Sequence, residues 1–141
     1  IPPDRRGSGG LSALYLDSSA YIKIVVDEEE SAAFRAFIAD RAGRHVSSAL
    51  LRAEALRAVR HLGPGALAAA REALRRVDLV GIDDRILDAA GTLEPRVVRT
   101  LDAIHLATAA AIGDDLAAIV TYDQRMIEAA RLIGLAVATP G

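Results

Sequence analysis

Ala117-Ala-Ile-Val-Thr-Tyr122, closed by Asp123, is the stretch whose reading decides the fold. This apolar stretch stands between a Gly-Asp-Asp turn signal and an acid. An apolar run of this length bounded by turn residues marks a strand buried on both faces. The pattern recurs near the start of the chain, where Ala13-Leu-Tyr-Leu16 ends on Asp17. Strands buried on both faces belong to parallel sheets, because the crossover helices cover them.

Outward from these two runs, strands alternate with helices. Residues 18–26 read as a helix, 27–30 as an acidic turn, and 31–41 as an amphipathic helix with Ala33, Phe34, Phe37 and Ile38 at helical spacing. A short strand is expected at 45–48 and a helix at 49–62, stopped by Gly63-Pro64-Gly65. A further Ala/Leu helix covers 66–77, followed by a strand at 78–82 and a helix at 84–92 that Glu94-Pro95 breaks. Residues 100–112 form a helix with Thr100 as its cap. The last helix runs to Ile133, Gly134 ends it, and 135–138 is a final strand. This alternation predicts an α/β fold, a three-layer α/β/α sandwich around a parallel sheet. One domain over 11–141 accounts for the pattern. Residues 1–10, rich in Pro, Arg and Gly, are expected to be a disordered leader or a remnant of expression.

The composition sets limits. A chain of 141 residues, 52% hydrophobic, can bury a sizeable core. With only 4% aromatic residues and no Trp, that core is made of small and branched aliphatic side chains, which favours closely packed helices. No Cys is present, so disulfides, thiolate metal sites and Cys nucleophiles are excluded. No apolar run has the roughly 20 residues of a membrane span, and the opening segment lacks a secretory signal's apolar stretch, so a cytoplasmic location is expected. The formal net charge of −2 argues against a uniformly basic nucleic-acid binder, although sixteen of the seventeen basic residues are Arg, whose forked donors suit phosphate.

Asp17 and Asp123 both follow strands, and loops at the carboxyl ends of parallel strands form the ligand crevice. Each also has an ordinary role as cap of the next helix. Glu54 lies mid-helix beside an apolar stripe, where a solvated acid paired with Arg57 is the ordinary outcome. Asp102 sits in the first turn of its helix, where the dipole favours a carboxylate. His105, one turn on, reads as a core or rim residue more than a ligand. Glu28–Glu30, Asp83–Asp84 and Asp114–Asp115 read as solvated acids in turns. Together, Asp17, Glu54, Asp102 and Asp123 say more than they do singly. Clustered carboxylates repel one another unless a cation sits among them, and hard cations such as Mg²⁺ and Mn²⁺ prefer such oxygens. Two such ions can stabilise the attacking and leaving oxygens of phosphoryl displacement. There is no phosphate-binding glycine loop and no Gly-x-Ser-x-Gly elbow.

Four segments carry a resemblance: Leu14-Tyr-Leu-Asp-Ser-Ser-Ala20, Ser48-Ala-Leu-Leu-Arg-Ala-Glu54, Arg99-Thr-Leu-Asp-Ala-Ile-His-Leu-Ala-Thr-Ala109, and Val120-Thr-Tyr-Asp-Gln-Arg-Met126 with Ala129-Ala130. In order and spacing they resemble the PIN-domain proteins, specifically the VapC-type toxin ribonucleases of bacterial toxin–antitoxin pairs, from about Leu14 to Pro140. The resemblance implies a PIN-like sandwich whose acidic pocket holds Mg²⁺ or Mn²⁺ and cuts RNA endonucleolytically. It implies Asp17 and Asp102 as the firmest metal ligands, with Glu54 and Asp123 holding metal directly or through water, and Ser18 and Thr121 lining the pocket. It also implies a VapB-type antitoxin whose tail occupies the groove, and a homodimer. Phe34, Phe37 and Ile38 belong either to the core or to one of those contact surfaces.

An RNA substrate needs cations near the pocket, and Arg96, Arg99, Arg52 and Arg57 stand close in sequence to the acids. Tyr15, Tyr21 and Tyr122 serve either as packing or as base-stacking platforms. Two rival readings remain: a non-catalytic binding module of the same fold acting through protein partners, and a phospho-receiver domain. The receiver needs a Lys beside its acids, and the only Lys is Lys23, inside the first helix.

Overall fold

The computed structural model describes residues 12–39 and 43–141; the expected leader over 1–10 and the end of the helix expected to reach residue 41 lie outside the described residues. Five strands, β1 (Ala13–Leu16), β2 (Arg44–Ser48), β3 (Asp78–Val80), β4 (Leu116–Val120) and β5 (Val137–Ala138), form one parallel sheet in the order β3-β2-β1-β4-β5. Seven α-helices are described: α1 (Ser18–Val25), α2 (Ser31–Ala39), α3 (Leu50–Val59), α4 (Pro64–Leu74), α5 (Asp84–Gly91), α6 (Thr100–Ile112) and α7 (Gln124–Leu132). Among the described residues no helix is long and apolar enough to cross a membrane.

β1 is buried along its whole length because it lies in the middle of the sheet with helices on both sides. Alternate side chains point to opposite faces. Leu14 and Leu16 pack with Ala20 of α1 and Phe34 of α2, while Ala13 and Tyr15 pack with Leu106 and Ala109 of α6 and Met126 and Ala129 of α7. These are the outer layers of the α/β/α sandwich. Each fully buried large side chain contributes about 1.5–3 kcal/mol, so β1 anchors both. α3 and α4 form a helical hairpin, joined through Leu51, Ala55, Ala73 and Leu74 and docked on Tyr21 of α1. α5 rests through Ile86 on Ile104 and Ala107 of α6.

From β1 the chain builds outward to β2 and β3, then crosses to the other side for β4 and β5. The reversal falls between β1 and β4, where an open parallel sheet leaves its crevice. Phe34 is fully buried, and Phe37 and Ile38 pack partly buried on the same cluster, so the apolar stripe of α2 faces the core. Two local expectations change. Pro64 opens α4 rather than only ending α3, since a first-turn Pro lacks an N–H that the helix does not need there. Thr100 is the first residue of α6, and the residue before it, Arg99, makes no side-chain cap. Gly134, at φ 87°, ends α7 as expected.

Candidate active site

Asp17 caps α1 directly after β1. Its side chain is 3% exposed, yet both oxygens are engaged. Oδ1 accepts from the Ala20 amide at 3.0 Å and from Ser19 Oγ at 2.7 Å, and Oδ2 accepts from Thr121 Oγ1 at 2.5 Å. Burial pushes its carboxyl above the ordinary value, while Thr121, Ser19 and Ala20 pull the other way without cancelling it. The same hydroxyls tie β1 to β4. Thr121 Oγ1 accepts from the Asp123 amide at 3.1 Å, and Ser19 Oγ accepts from the Tyr122 amide at 2.9 Å.

Asp123 caps α7, with Oδ1 accepting from the Arg125 amide at 2.9 Å. Asp102 lies half-buried in the first turn of α6. Burial pushes its carboxyl up, and the nearby charges of Asp123 and Glu54 add to this; His105 and Arg99 act in the opposite direction. Three of the four acids are therefore electrostatic neighbours. Asp17 joins them through Thr121 on one side and through its interaction with His105 on the other.

Glu54 is not the solvated acid of an ordinary helix face. Its Oε1 lies 2.6 Å from His105 Nε2, and Arg57 makes no ion pair with it among the described residues. His105 is 1% exposed, and its Nδ1 lies 2.6 Å from the hydroxyl of Tyr15, itself fully buried. The rings meet edge to face at 78°. Burial holds the Tyr15 phenol well above its usual range, so it keeps its proton. A carboxylate oxygen accepts, so His105 Nε2 donates to Glu54, while Nδ1 shares a hydrogen bond with the Tyr15 hydroxyl. The reading of His105 as a satisfied core residue holds; its bond to Glu54 was not visible from the sequence.

Other candidates divide. Thr121, expected with Ser18 to line the pocket, donates to Asp17, and so does Ser19, which the sequence did not single out. Tyr15 and Tyr21 are fully buried, and Tyr122 packs on Phe34 under Lys23 with its hydroxyl on the Pro140 carbonyl, so none is a free stacking platform. Lys23 pairs with Glu28 at 3.0 Å and Glu30 at 2.8 Å rather than approaching Asp17, which removes the receiver reading. Those two acids and Asp83, which caps α5, are engaged rather than simply solvated. A cavity of about 660 Å³ between Pro95, Val98 and Leu132 lies apart and is lined by none of the four acids.

As the side chains stand, no three His, Asp or Glu groups among the described residues are drawn together as an ion cage. The donor chemistry nonetheless suits a hard cation: every candidate offers carboxylate oxygen, and the like-charge conflict at Asp102 is the kind that a cation relieves.

Residues 14–132 match the PIN domain, and the chain belongs to the PIN-domain family. Within that family its relatives are VapC proteins. It is 52% identical over 130 residues to Ribonuclease VapC46 of Mycobacterium tuberculosis, covering 92% of this chain and 99% of that protein. Ribonuclease VapC35 of the same species is 42% identical over 131 residues, with 91% and 97% covered. Among solved structures, M. tuberculosis VapC20, described as a Sarcin-Ricin loop cleaving toxin, superposes with a TM-score of 0.72 at 16% identity, over 90% of this chain and 99% of that one. A toxin–antitoxin complex from Klebsiella pneumoniae gives 0.70 at 20% identity, over 92% and 98%. At such identities these two likenesses speak for the fold alone.

Proposed function

We propose that the protein is a Mg²⁺- or Mn²⁺-dependent endoribonuclease, the toxin of a toxin–antitoxin pair, hydrolysing RNA phosphodiester bonds at Asp17, Glu54, Asp102 and Asp123. The observation that carries this reading is the coupling of Asp102 to the charges of Asp123 and Glu54, with Asp17 tied to the Asp123 backbone through Thr121. The near full-length identity to a named ribonuclease supports the catalytic step.

Asp17 and Asp102 would hold the ion directly, and Glu54 and Asp123 directly or through water. When bound, such an ion polarises the phosphate and makes a water more acidic. The chain's own contribution is placement. Ser19, Thr121 and the Ala20 amide fix the Asp17 carboxylate, and His105 fixes Glu54 by one oxygen, leaving the other free. The first turns of α6 and α7 direct their positive dipole ends toward Asp102 and Asp123, offsetting part of the accumulated charge.

Purified protein is expected to cleave structured RNA with Mg²⁺ or Mn²⁺ and to stop with EDTA. The variant Asp17→Asn should fold and lose cleavage; parental rates in that variant overturn the assignment. Mapping of cleavage ends in cells identifies the RNA. A VapB-type antitoxin whose tail fills the groove and a cytoplasmic homodimer belong to the same reading.

A further inference from the structure

The α3–α4 hairpin is strongly basic within an acidic protein. Between Leu50 and Arg76 lie six arginines against two glutamates, four positive charges net, in a chain of formal net charge −2. One of the two glutamates, Glu54, is turned inward to His105. All six arginines are exposed. Among the described residues the only acid within ion-pair distance of any of them is Glu72, 3.4 Å from Arg75. Away from the hairpin, Arg35 and Arg44 do have acidic partners, Asp27 and Asp78. Arg52 from α3 and Arg71 and Arg75 from α4 meet around a cavity of about 200 Å³ whose wall includes Leu56 and Leu74.

Guanidinium groups crowded on one face repel one another and raise the local concentration of polyanions. Their planar forks match phosphate oxygens. Arg52 lies in the first turn of α3, just beyond the carboxyl end of β2, and so at the sheet end that carries Asp17. A basic track therefore starts beside the acids and continues across to α4.

We infer that the α3–α4 hairpin is the arm that carries the RNA phosphate backbone, with Arg52, Arg71 and Arg75 taking nucleotides that flank the scissile bond. The inference rests on the nuclease reading and deepens it. Contacts of this kind supply affinity and register while reading no bases. RNA is favoured over an acidic protein segment because the charge follows both helices from the catalytic end, as a continuous polyanion requires.

The test measures binding without cleavage. Full-length Asp17→Asn protein in EDTA is titrated against a fluorescein-labelled single-stranded oligoribonucleotide between about 50 and 200 mM KCl, the range over which released counterions report phosphate contacts. Adding Arg71→Gln and Arg75→Gln together should weaken binding roughly fivefold to tenfold and lower the slope of log K against log salt by about 1.4, at about 0.7 per contact. Arg35→Gln, outside the hairpin, should change neither, and melting curves should match across the set. Unchanged affinity and slope in the double variant overturn the proposal. So does a double variant that keeps RNA affinity but no longer binds polyglutamate, which makes the hairpin a surface for acidic protein. A failure here leaves the nuclease reading standing, because that reading is tested by cleavage in the Asp17 variant.

Discussion

His105 Nε2 meets Glu54 Oε1 at 2.6 Å, linking the middle of α6 to the middle of α3. The phenol of Tyr15 backs the ring from the other side, so the carboxylate is oriented by two buried groups in series. Partners that orient a metal-binding group typically matter by about 10–100-fold in affinity or activity. His105→Leu should therefore weaken Mn²⁺ binding and slow cleavage on that scale, while His105→Gln, which keeps an N–H at similar reach, should retain most of both. Mn²⁺ titration followed by electron paramagnetic resonance, with single-turnover cleavage, distinguishes them. Equal behaviour of the Leu and Gln variants would show that the bond orients nothing.

Asp17 combines a buried carboxylate with a raised pKa, and the sign of its effect on stability follows. Its folded form binds a proton more readily than its unfolded form. The stabilisation is therefore complete below the unfolded value near 3.8 and is lost as pH rises through the higher folded value. At neutral pH the metal-free protein carries this cost, and Asp17→Asn removes it. The variant should melt above the parent at pH 7, with the gap narrowing toward pH 4, while cleavage falls at least about a hundredfold, the scale of losing one charge-stabilising group at a reacting centre. Calorimetry of both proteins across that range checks it; a parent that melts higher at pH 7 contradicts the account.

Thr121→Val keeps the shape of the side chain but deletes the hydroxyl that serves Asp17 Oδ2 and the Asp123 amide. Leaving buried polar groups unpaired costs about 1–3 kcal/mol. The urea midpoint should drop accordingly with an unchanged slope, and no shift would mean that the strut contributes nothing.

Lys23 is the single lysine of the chain, 8% exposed at its side chain, with Glu28 and Glu30 about its amine and the Tyr122 ring 4.5 Å beneath. Both glutamates are more than a third exposed, so solvent screens the ion pairs. Lys23→Met should cost only about 1 kcal/mol. Because Tyr122 also holds the Pro140 carbonyl, faster amide exchange should appear around Thr139. Unaltered exchange there would separate Lys23 from the C-terminal contact.

Features with local causes were legible before the structure. An apolar run followed by an acid is a strand leading into a helix cap, and Asp17 and Asp123 are both. The layers followed from runs buried on both faces. Features made by distant residues were not. Tyr15 and His105 are 90 positions apart, and no periodicity relates them. Glu54 looked solvated because Arg57 stood one turn away, yet the buried imidazole took it instead. Ser18 and Ser19 are indistinguishable in the sequence; only the direction of the first turn of α1 decides which hydroxyl reaches the capping carboxylate.

The strut between Thr121 and Asp17 spans 104 positions of sequence and joins two neighbouring strands. During synthesis, the segment bearing Asp17 leaves the ribosome long before its counterpart exists. Asp102, Thr121 and Asp123 all follow Asp17 by 85 positions or more. The four acids therefore cannot stand together until residue 123 has been made, and a product cut short before that position carries an unfinished set.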